Sequence, residues 1–146
     1  MSLENLLKTK QLLPHNPSKE AVLRLLESAK RNLADANIEA VSPENRFDAA
    51  YKCIMQCAMV GLWVNGYRTS TSQPGHHQTS IQSLSISIGL PMTTVIILDS
   101  LRKQRNVSDY EGDPVSDQAV MECIKQATEL HAYLRKWLSE HSDINL

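Results

Sequence analysis

The chain lacks an excess of either charge. Fifteen lysines and arginines stand against sixteen aspartates and glutamates, leaving a formal net charge of −1 over 146 residues. Without a global basic field, indiscriminate electrostatic coating of nucleic acid is a poor account of its activity, whereas a local basic patch is not excluded. No window approaches the roughly eighteen consecutive apolar residues of a membrane span. The start, MSLENLLKTKQLLPHNP, has no basic segment leading into an unbroken apolar stretch, so it does not read as a secretory signal. Cysteine is scarce and odd in number (Cys53, Cys57, Cys123), with no C-x-x-C pair. That argues against a disulfide framework and a zinc knuckle, and it favours a reduced, cytoplasmic setting. Glycine-rich phosphate loops, His-Glu metal motifs and nucleophile elbows are missing too, so neither metal nor cofactor is expected. There is no internal repeat and no long flexible linker.

What the chain does have is 42% hydrophobic residues spread at helical spacing. A single domain of this length buries roughly two-thirds of the surface that its unfolded chain exposes. The expected organisation is an N-terminal extension over residues 1–15, one domain over 16–141 and a short tail over 142–146. Asn16-Pro17 reads as a helix start, and Val22, Leu25, Leu26, Ala29, Leu33 and Ala36 recur every three or four residues up to an end near Ala40. Ser42-Pro43 opens a second helix, with Phe47, Ala50, Tyr51, Ile54, Ala58 and Leu62 inward and a stop at Gly66. The turn-rich segment 67–75 leads to a shorter helix carrying Ile81, Leu84 and Ile88. Thr93 or Thr94 caps the next, in which the β-branched run TTVII reads as helix because no partner strand is in sight. After the loop EGDPVSD, Ser116 caps a last helix through Val120, Cys123, Ala127, Leu130, Leu134 and Trp137. The fold class is all-α, an antiparallel up-and-down bundle of four to five helices.

Chemistry concentrates after the fourth apolar run, in Leu101-Arg-Lys-Gln-Arg-Asn-Val-Ser-Asp-Tyr110. On a helix Arg102, Arg105 and Asn106 share a face, as do Arg105 and Asp109. An exposed Arg105–Asp109 pair is the plain reading, worth a few tenths of a kcal/mol; clustered arginines beside Asn and Ser are equally a phosphate-binding set. Asp48 is either a solvated first-turn carboxylate or an orienting partner for Arg105. His76, His77 and Arg68 flank the irregular segment and are polar candidates for the same cleft, or else surface and capping residues. The three cysteines read as small core hydrophobes, Trp63 and Trp137 as packing residues, and Met55 and Met59 as members of a helix seam.

Arg105-Asn106, three further residues and Tyr110 resemble the Arg-Asn-x-x-x-His signature of HEPN domains. The stretch Ser42–Tyr51 is similar to the start of the second HEPN helix, and Gly66-Tyr67-Arg68 with Gly75-His76-His77-Gln78 is similar to one bacterial branch of that superfamily. The resemblance covers roughly residues 20–140. It implies a two-fold homodimer whose two motifs share one cleft, binding of RNA or a nucleotide, and a role in a bacterial toxin–antitoxin or stress system with an antitoxin partner. It further implies metal-independent RNA cleavage by attack of a 2′-hydroxyl on the adjacent phosphate. Arg105 would then hold the phosphate, Asn106 orient the site and Tyr110 move the proton, with Arg102, Arg68, His76, His77, Asp48 and Asp109 binding substrate. The departure is Tyr110 in the place of histidine. A phenol titrates near 10, far from neutrality, and a positioned acid–base group is worth roughly 10²–10⁴-fold in rate. Phosphate binding does not need that group, and a non-catalytic dimerisation or binding module is the alternative reading.

Overall fold

The computed structural model describes residues 1–112, 114–144 and 146, apart from the side chains of residues 108–111. Most of the chain is helical, as the periodicity predicts, with a two-stranded antiparallel ribbon added at one end. In chain order the elements are α1 (Leu3–Lys8), β1 (Leu12–Pro14), α2 (Lys19–Ala36), α3 (Pro43–Val64), β2 (Tyr67–Thr69), α4 (His76–Gln82), α5 (Leu84–Ser87), α6 (Met92–Glu111) and α7 (Asp117–His141). β1 pairs with β2 in the register Leu12 to Thr69, Leu13 to Arg68 and Pro14 to Tyr67.

α3 is the central element. It packs against α2, α7, β2, α4, α5 and α6, and its buried side chains occur on most of its circumference, from Phe47, Ala50 and Tyr51 to Val60, Gly61 and Leu62. A helix that is apolar nearly all round belongs inside a bundle, whereas α2 shows one apolar stripe of Val22, Leu26, Ala29 and Ala36. Cys53, Cys57 and Cys123 are fully buried free thiols, packed as the small hydrophobes expected of them.

Several boundaries differ from the sequence reading, each for a local reason. The first fifteen residues are more than an extension: Leu6 and Leu12 are buried with Leu62 in a satellite cluster, and β1 supplies half of the ribbon. α2 begins at Lys19 with Ser18 as its cap, because the Ser18 hydroxyl accepts from the Ala21 amide at 3.1 Å. Pro17 therefore sits outside the helix. Asn37 ends α2, short of Ala40, and its side chain donates to the Leu33 carbonyl. The expected short helix is divided into α4 and α5, and α6 starts at Met92 ahead of Thr93 and Thr94. Ser42 and Ser116 do cap α3 and α7, accepting from the Asn45 and Ala119 amides.

Gly61 marks a close approach of α3 to α5. A Cβ built there would stand 3.0 Å from Ser87 Oγ and 3.3 Å from Ile88 Cγ2. Asn65, at the end of α3, donates to both the Gly61 and Ser87 carbonyls (2.7 and 3.0 Å) and ties α5 down. Gly61→Val should lower stability by about 1–3 kcal/mol through overpacking. A denaturant midpoint equal to that of the parent would contradict this contact.

On the opposite flank His131 is 8% exposed at the seam of α2 and α7, and its Nε2 is buried without a partner. Burial, with Arg135 and Lys30 nearby, lowers its pKa below the usual 6.5. The unfolded chain then binds this proton first as pH falls, so stability present above pH 6.5 declines below it. Unfolding midpoints measured from pH 7.5 to 5 should fall in the parent and fall less in His131→Gln; parallel curves would refute the assignment.

Candidate functional site

Three elements converge on one face. α3 contributes Asp48 and, three residues on, Tyr51; α6 contributes Arg102, Arg105 and Asn106 at helical spacing; α4 contributes His76 and His77. α4 is anchored by fully buried Ile81 and by serine hydroxyls that donate to its own carbonyls, Ser80 to His76 (3.0 Å) and Ser83 to Ser80 (2.7 Å). Gly75 precedes it with φ +74°, a conformation in which a side chain would be strained. His76, His77, Gln78, Arg102, Arg105 and Asn106, with Gly75, line an open hollow of about 210 Å³. None of these lining residues carries a carboxylate.

Behind the hollow the groups are connected. Arg105 Nε lies 3.5 Å from Asp48 Oδ1, and its guanidinium sits over the Tyr51 ring, 5.3 Å from the ring centre. Asp48 therefore is a partner of Arg105, in addition to a longer contact with Lys52 at 3.9 Å. Tyr51 is 1% exposed, and its hydroxyl meets His77 Nδ1 at 3.3 Å. The His77 ring in turn makes an edge contact with His76, centroids 4.7 Å apart. On the same helix Arg102 Nε donates to Asp99 Oδ1 at 2.8 Å, and Lys103 approaches the other Asp99 oxygen at 3.7 Å.

These contacts set the electrostatics. Burial pushes the Tyr51 phenol up to about 12 against the opposing pull of Arg105 and Arg102, so it remains protonated at any physiological pH. Burial lowers the pKa of His77, and the nearby His76, Arg105 and Arg102 lower it further. Near neutrality His77 is accordingly an uncharged imidazole, able both to accept and to donate a proton.

Of the residues singled out from sequence, the structure thus brings together Asp48, His76, His77, Arg102, Arg105 and Asn106. Arg68 stands apart on β2, exposed, beside a separate hollow of about 140 Å³ with Met59 and Trp63. Asp109 and Tyr110 fall within α6, but their side chains lie outside the described residues. Sequence reasoning gave Tyr51 only a core role, although its place three residues after Asp48 carried the signal; it overlooked Asp99, three before Arg102. Larger hollows exist, about 370 Å³ near Trp63 and Ile144, about 410 Å³ near Met92 and Ile96 and about 390 Å³ near Asn45 and Asp48, but among the described residues none of these gathers arginines and histidines. Among the described residues no group of three or more His, Cys, Asp or Glu is placed to hold a metal ion, and no helix is long and apolar enough to cross a membrane. No protein-family model matches the chain, and neither a curated protein nor a solved structure is significantly similar to it.

Proposed function

We propose that this chain is a HEPN-like RNA-binding protein that holds a backbone phosphate in the hollow between α4 and α6. The observation that carries the reading is the convergence of Arg102, Arg105 and Asn106 with His76 and His77 on one surface, whose lining among the described residues holds no carboxylate. Planar guanidinium groups suit phosphate oxygens, and fixing one beforehand reduces what binding must order. Arg105 is fixed in this sense by Asp48 and Tyr51. The resemblance of the Arg105-Asn106 to Tyr110 segment to the HEPN signature supports the same ligand. In this reading the protein works in a bacterial cytoplasm as a two-fold homodimer, within a toxin–antitoxin or stress system that supplies an antitoxin partner.

A second reading, metal-independent RNA cleavage, is favoured by His77. A neutral imidazole beside two arginines is the chemistry that Tyr110, a phenol, does not offer near pH 7. The RNA 2′-hydroxyl would attack the adjacent phosphorus and release the 5′-oxygen, leaving a 2′,3′-cyclic phosphate. With no such cleavage, the protein is a binding module.

Purified protein incubated with mixed cellular RNA in EDTA should bind it, with Arg105→Ala reducing affinity about tenfold or more, in keeping with one lost charge-assisted contact. Fragments ending in 2′,3′-cyclic phosphate, present with the parent and missing with Arg105→Ala, would establish the nuclease. Equal RNA affinity of the two proteins would overturn the phosphate-site reading.

A further inference from the structure

We infer that phosphate binding in this hollow is coupled to the uptake of one proton by His77, with Tyr51 positioning the ring for it, so that the site tightens on its ligand as pH falls. This rests on the RNA-binding reading and adds to it a regulation of the same site.

Geometry carries the inference. His77 lines the hollow beside both arginines, and its Nδ1 is engaged by the Tyr51 hydroxyl at 3.3 Å. Nε2 is then the ring nitrogen left for a ligand. A hydroxyl partner tolerates both states of the ring, because it can donate to a bare Nδ1 or accept from a protonated one. A backbone carbonyl would accept only. Tyr51 is buried and stays phenolic, so the proton resides on the imidazole and not on the phenol.

Charge supplies the coupling. The groups that face His77 are His76 on its own helix, Arg102 and Arg105 on α6, and Tyr51 on α3. α5 (Leu-Ser-Ile-Ser) has no titratable side chain, and on β2 Arg68 faces another hollow while Tyr67 packs against the Leu6, Leu12 and Leu62 cluster. Among the described residues every charged neighbour that acts on His77 is thus a cation or a potential one, and together with burial they keep the empty site's imidazole neutral. A phosphate anion placed among them reverses that balance and favours imidazolium, which would donate Nε2–H to a phosphate oxygen. No bond is made or broken beyond the uptake of one proton from solvent by the imidazole, at whichever ring nitrogen is bare in the neutral state.

The test uses a single-stranded 2′-O-methyl oligoribonucleotide without terminal phosphates. It has no 2′-hydroxyl to attack, and its charge does not change between pH 5.5 and 8, so any pH dependence belongs to the protein. An anion within hydrogen-bond reach raises the pKa of a cationic acid by about one unit or more, so affinity should rise about threefold or more from pH 8 to 5.5. His77→Gln should flatten this rise while retaining weaker Arg105-dependent binding at pH 8. His141→Gln, at the far end of α7, controls for general protonation and should leave the rise intact. Tyr51→Phe keeps the ring beneath Arg105 and removes only the hydroxyl, and it should diminish the rise. Imidazole NMR of the parent should show the His77 pKa higher with the oligonucleotide than without. A pH dependence unchanged in His77→Gln, or an unmoved His77 pKa, overturns the inference and leaves the RNA reading standing. A rise unaltered in Tyr51→Phe removes the positioning role. Absence of Arg105-dependent binding at every pH overturns both the inference and the reading.

Discussion

Burial of α3 on most of its circumference is the constraint from which the other arrangements follow. A helix enclosed in this way needs neighbours on all sides, and α2, α7, β2 and the α4–α6 segment supply them. Because the interior is close-packed, each neighbour's distance is fixed by side-chain volume, as at Gly61 against Ser87. The first turns of α3 are less enclosed, and there Asp48 reaches the surface while Tyr51 remains within. The candidate site is built at this transition from core to solvent. Asp48 and Tyr51 stand on this central helix, and the ligand-facing groups stand on helices that pack against it.

The Asp48–Arg105 contact contributes little energy in itself. With both side chains partly exposed and 3.5 Å between them, it belongs among pairs worth about 0–1 kcal/mol. Its effect is on direction. Held from the side by a carboxylate and from below by an aromatic face, the Arg105 guanidinium is aimed where an anion can meet it. Asp99 does the same for Arg102 at 2.8 Å. Each arginine is restrained by a carboxylate, Asp48 or Asp99, that is not among the described lining residues, and those lining residues are cationic or neutral.

Periodicity alone revealed the four long helices and most of the core, though not α1, because Val22, Leu26, Ala29, Ile54, Leu130 and Leu134 repeat at spacings that only a helix brings to one face. The run TTVII is helical despite its β-branching, since α3 and α4 cover the inward side of α6 and no strand lies beside it. The ribbon was illegible: a three-residue strand carries too short a pattern, and the partners Leu13 and Arg68 are far apart in sequence. At the site, residues sharing one helix were readable from spacing, as Arg102, Arg105 and Asn106 show. Convergence between helices was readable only as alternatives, with Asp48 a candidate partner of Arg105 and His76 and His77 candidates for the same cleft. Nothing in the segment 67–82 specifies that His77 meets Tyr51, and that contact depends on how Ile81 seats α4 in the core.

The three thiols of the core have a consequence of another kind. Hydrogen bonding with Cys53, together with burial, holds the Cys57 thiol well above its usual range, and burial pushes that of Cys123 up to about 12. A thiol reacts as thiolate and only where a reagent can reach it. In the native bundle both conditions fail together, and both are met once α3 and α7 separate. The protein therefore carries an internal clock of its own opening: the rate at which an alkylating reagent consumes these sulfurs reports how often the centre of the fold is laid open.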